Sequence, residues 1–73
     1  MTTIDIPSLA AVLNRFLPDD HKIRLYEEAD QTAYEVQIVN SFKYLSNEDI
    51  VRIPEPYGNQ CEMLCYKYYQ HEN

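Results

Sequence analysis

The chain has 73 residues, with twelve acidic side chains against six basic ones and a formal charge of −6. That length holds one domain and one core, and the negative charge opposes direct binding to DNA, RNA or an anionic membrane, each of which would repel it. A hydrophobic content of 45% is ordinary for a globular protein and excludes wholesale disorder.

The N-terminal segment reads as a helix. Asp5 is placed to cap it, and Pro7 falls in the first turn, where a missing N–H costs nothing. Leu9, Val12, Leu13, Phe16 and Leu17 then recur at helical spacing, and Pro18 stops the run. Met1 to Ile6 carries Asp5 and no basic cluster, so it does not read as a signal peptide.

Residues 22–40 read as a β-hairpin. Ile23 and Leu25 alternate with Arg24, Tyr26 and Glu28, and Tyr34, Val36 and Ile38 alternate with Glu35 and Gln37. Asp30, in the connection from Ala29 to Thr32, fits a four-residue loop around a type I turn. Ser46 followed by Glu48 and Asp49 resembles a helix start, but Ile50 to Ile53 favours strand and Pro54 limits continuation. A short turn leading into a strand is expected there, with a loop over 54–59.

Gln60 to Tyr69 is ambiguous. Cys61, Leu64, Cys65 and Tyr68 fit a helical stripe, yet the tyrosines and the short bounded length fit a strand. A hairpin alone is unstable in water and needs further strands, so strand is expected here and His71 to Asn73 should fray. The predicted architecture is α+β: an N-terminal helix packed on a small antiparallel sheet of three to four strands built around the 22–40 hairpin. Leu9, Val12, Leu13, Phe16, Ile23, Leu25, Val36 and Ile38 should be its core.

No sequence pattern points to chemistry. Cys61 and Cys65 would lie roughly 13 Å apart in a strand, or on consecutive turns of a helix, and neither arrangement suits a disulfide. Free thiols fit a reducing compartment. A zinc site could recruit His71 and His21, but the ligand set is thin and no metal or cofactor is expected. The one Gly in the chain leaves no phosphate-cradling loop, and a domain this small seldom encloses a substrate pocket, so no enzymatic activity is expected.

Seven tyrosines and the acidic surplus point instead to recognition of a protein. Tyrosine covers a large area with little rotamer entropy to lose, and acids steer an encounter with a basic surface. Tyr26, Glu27, Glu28, Asp30, Glu35, Tyr57, Tyr66 and Tyr68 are the expected partner-binding residues. In a strand, alternate acids would stand about 6.6 Å apart, near the spacing of successive phosphates, which suggests partial nucleic-acid mimicry on one face.

In size and charge the chain resembles the small acidic inhibitors encoded by phages, including anti-CRISPR and anti-restriction proteins. This is a resemblance of class and rests on no motif. It implies an inhibitor or adaptor that docks on a basic surface of a nucleic-acid-binding protein, without touching nucleic acid or membrane itself, in the cytoplasm of a bacterium or infected host. The alternative expectation is a small homo-oligomeric structural or regulatory protein, such as a homodimer, sealed by a tyrosine-rich sheet face.

Overall fold

The computed structural model describes residues 3–69, and among these every regular element is helical. Helix α1 spans Ile6–Asn14, α2 Gln31–Ser41, α3 Asn47–Arg52 and α4 Tyr57–Tyr69, with short 3₁₀ turns at Asp19–His21 and Phe42–Tyr44. The expected antiparallel sheet is therefore absent, and the α+β assignment gives way to an all-helical fold.

Helix α1 forms as its residues dictate. The Asp5 carboxylate accepts from the Ser8 backbone N–H at 3.3 Å and from the Ser8 hydroxyl at 2.8 Å, while Pro7 sits in the first turn. Its inner face buries Ile6, Leu9, Ala10 and Leu13. Beyond it, the Lys22 ammonium donates to the carbonyls of Asn14 (2.6 Å) and Leu17 (3.0 Å), satisfying acceptors that the end of the helix leaves free.

The first half of the expected hairpin, residues 22–26, forms no regular element and pairs with no strand among the described residues. Asn14 supplies the ladder that a neighbouring strand would have given: its Oδ1 accepts from the Ile23 N–H at 2.7 Å and its Nδ2 donates to the Ile23 carbonyl at 3.0 Å. Ile23 is buried by this docking, whereas Leu25 is 36% exposed. The alternation in the sequence records one side chain inserted into a core, not a pleated sheet.

The second half is helix α2. Asp30, read as a turn residue, is its N-cap and accepts from the Ala33 N–H at 2.9 Å. In a strand Val36 faces the core and Glu35 faces water. The helix reverses this: Glu35 is 6% exposed and Val36 is 38% exposed. Ile38 and Val39 are buried, and Tyr34 and Phe42 pack against the same core.

Helix α3 starts with a complete capping box. The Ser46 hydroxyl accepts from the Asp49 N–H at 3.0 Å, and the Asp49 carboxylate accepts from the Ser46 N–H at 3.2 Å. The strand expected from Ile50 to Ile53 is thus mostly helix; only Ile53, held extended ahead of Pro54, leaves it.

Helix α4 replaces the strand expected from Gln60 to Tyr69, and the helical stripe seen in the sequence carries it. Leu64 is buried, with Cys61 and Tyr68 packed against the core. Glu55 caps its start by accepting from the Asn59 N–H at 3.1 Å. A side chain at Gly58 would come within 2.6 Å of that carboxylate, so the only glycine leaves room for the cap. Helices α1, α2 and α4 contact one another pairwise around the core, α2 against α4 most extensively, and α3 lies outside this trio.

Candidate interaction surfaces

Three of the expected partner-binding residues meet at one tip of the molecule. A turn closed by the Ala29 N–H on the Tyr26 carbonyl (3.1 Å) puts Glu27 and Glu28 at its two central positions, both exposed, and leaves Tyr26 63% exposed. The Tyr34 hydroxyl donates to the same Tyr26 carbonyl and ties the turn to α2. Asp30 follows as the α2 cap. None of Glu27, Glu28 and Asp30 forms an ion pair among the described residues. The strand that would have spaced these acids like phosphates does not exist, so that ground for nucleic-acid mimicry falls.

Glu35 and Tyr68, also expected to bind a partner, are engaged with each other inside the fold. One Glu35 oxygen accepts from the Tyr68 hydroxyl at 2.6 Å and from the Lys67 ammonium at 2.9 Å, and the other accepts from the Gln31 amide at 3.2 Å. Burial alone pushes the Glu35 carboxyl up. The three hydrogen bonds and the Lys67 charge outweigh it, so Glu35 titrates below its ordinary value. The hydrogen bond to Glu35 raises both the Lys67 and Tyr68 values. This network joins α2 to α4 across residues more than thirty apart in sequence. The i, i+4 pair Gln31 and Glu35 was a local hint of it; the pairing with α4 had none.

The tyrosines do not share a surface. Tyr34, Tyr57 and Tyr68 pack against the core, Tyr44 stacks on His21 with ring centroids 3.7 Å apart, and Tyr66 is 70% exposed on the outer side of α4. Tyr57 and Tyr66 thus lie apart from the acidic tip, and the tyrosine-rich sheet face that suggested a dimer is absent.

Sequence reasoning missed a concavity beside α4. Residues of α3, α4 and the chain that joins α2 to α3 enclose a groove of about 820 Å³. Its floor and walls are mostly apolar, from Leu45, Ile50, Ile53, Pro56 and Cys65, and its only charged lining residues are Glu55 and Glu62. Neither acid is ion-paired among the described residues. At its edge Ile50 is 50% exposed and Val51 83% exposed. The signal was the Ser46 capping box, which makes residues 47–52 a helix beside α4 instead of a strand.

Cys61 and Cys65 are free thiols on successive turns of α4. Burial, then the nearby Glu55 charge, pushes the Cys61 thiol up to about 11, which keeps it protonated and a poor nucleophile at neutral pH. Among the described residues no three His, Cys, Asp or Glu side chains converge on a metal position. His21 is occupied against Tyr44, and His71 and the expected fraying beyond it lie outside the described residues. No described helix is long and apolar enough to cross a membrane. No protein family, curated protein or solved structure matches the chain.

Proposed function

We propose that the chain is a non-enzymatic interaction protein that docks on a basic surface of a nucleic-acid-binding protein and acts as an inhibitor or adaptor there. The observation that carries this reading is the acidic turn. Among the described residues Glu27 and Glu28 project from its tip with no cation of their own, beside the exposed ring of Tyr26, while three of the six basic residues are already engaged by acids elsewhere: Lys22 with Asp19, Arg52 with Glu48, and Lys67 with Glu35. An overall charge of −6 adds a field of the same sign. Competition with nucleic acid for the partner's basic surface is the corresponding mechanism, with acids setting the encounter rate and Tyr26 the residence time.

The test is the double reversal Glu27→Lys, Glu28→Lys, which spares the cap at Asp30 and the buried Glu35. A partner captured from the native host should bind nucleic acid and release it as the wild-type chain is added. The reversal should slow association about tenfold at low salt and flatten the salt dependence, because steering acts on the encounter. An unchanged association rate, or a captured partner with no basic surface, refutes the proposal.

A further inference from the structure

We infer that the groove between α3 and α4 receives the apolar face of a cationic amphipathic helix, presented by the basic partner proposed above. The inference rests on that reading for the partner's charge and on separate observations for the site.

Two properties of the groove select this occupant. Its volume, about 820 Å³, lies within the range of small-molecule pockets, but its wall on the α3 side is an open shoulder. Ile50 and Val51, which form that shoulder, are 50% and 83% exposed, and a compact ligand would leave much of both side chains in water. A helix laid along the opening covers both the groove and this shoulder, in the manner of helix-in-groove recognition. The second property is charge. Both charged lining residues are acidic, so Lys or Arg flanking the inserted stripe of a helix would meet Glu55 and Glu62. A second copy of this chain would bring a charge of −6 and the same two acids to the contact, which opposes self-association through this face.

The probe is a synthetic Leu–Lys amphipathic peptide of about four helical turns, titrated into the ¹⁵N-labelled full chain. Amide shifts should move in a saturable way at Ile50, Val51 and Cys65. Val51→Asp, at a position already open to water, should weaken binding at least about tenfold with the helical circular dichroism unchanged. Glu62→Lys should weaken it about fivefold and flatten the salt dependence. A Leu–Glu peptide with the same apolar face should not bind.

Several results overturn the inference. Shifts confined to residues 26–30 would leave the acidic turn as the docking surface and remove the groove from it, with the proposed function intact. Equal binding of the Leu–Glu peptide would remove the cationic requirement. A concentration-dependent dimer dispersed by Val51→Asp would make a second copy the occupant. No binding of the Leu–Lys peptide at millimolar concentration would end the helix-in-groove reading. Failure of the Glu27/Glu28 reversal to affect the native partner would instead strike the proposed function and leave the peptide result standing on its own.

Discussion

The two sides of α4 handle polarity in opposite ways. Toward α2 it closes on a carboxylate: Glu35 is buried and fully engaged by Tyr68, Lys67 and Gln31. Toward α3 it opens on apolar side chains, with Ile50 and Val51 left in water beside a groove. A domain of this size has little apolar area to spare, so leaving part of it outside while placing a charge inside runs against stability. The contrast separates residues that serve the fold from those available to a partner. An acid is not a surface residue because it is an acid, and an apolar residue is not core because it is apolar.

The severest way to break this contrast acts on α4 itself. Leu64 is 1% exposed, and Leu64→Ala should cost about 2–5 kcal/mol in urea unfolding, enough to lose both faces together. If the groove still bound the peptide at full affinity in the unfolded-prone variant, α4 would not be the shared support described here.

Glu35→Ala should follow, at on the order of 2–3 kcal/mol, because hydrogen bonds to a buried charged group are lost and Tyr68 is left without its acceptor. Its acid dependence carries a definite sign. A carboxyl whose folded value is lowered contributes stability above its ordinary value of 4.5, and loses it as pH falls through the lowered value. Wild-type stability should therefore decline below about pH 4.5 more steeply than that of Glu35→Gln, measured by denaturant midpoints across pH. Parallel curves for the two proteins would show that the network contributes nothing through ionisation.

Gln60 sharpens the comparison from the same helix. It is 6% exposed and its Oε1 has no hydrogen-bond partner among the described residues. Gln60→Leu should raise stability by about 1 kcal/mol by removing an unsatisfied buried acceptor. A loss of similar size would mean that the amide is satisfied after all, by water. At the small end, Val51→Ser should shift the unfolding midpoint by no more than about 0.5 kcal/mol, since an exposed side chain has nothing to lose in the free protein. A larger cost would make Val51 part of the fold.

The limits of the sequence lie in a numerical coincidence. Tyr34 and Ile38 stand four residues apart, which is both one helical turn and two full strand alternations, so each period accepts them. The residues that decide are Glu35 and Val36, and they were sorted by polarity, which the Lys67–Tyr68 network overrides. Its α4 members come from the far end of the chain and leave no trace in the sequence around Glu35. Local chemistry was legible where it is self-contained: the Asp5 cap, the Leu9–Leu13 stripe and the Ser46 helix start all appear in the structure. The stripe of Cys61, Leu64 and Tyr68 is also legible, but its tyrosines and short length fit a strand equally, so the pattern alone does not decide. Among the expected binding residues, Tyr26, Glu27 and Glu28 are exposed, but on a turn at 26–29 rather than at the end of a strand. The groove was missed because it depends on how α3 sits beside α4.

Asn14 gives the acidic turn a property that charge alone would not. By holding both the N–H and the carbonyl of Ile23, it anchors the chain before the turn; the Tyr34 hydroxyl holds the Tyr26 carbonyl at the turn's start, and the Asp30 cap anchors the chain after it. The segment between is a short span fixed at both ends. Its acids and the Tyr26 ring reach a partner already arranged, so less conformational freedom is surrendered on contact than a loose loop of the same composition would lose.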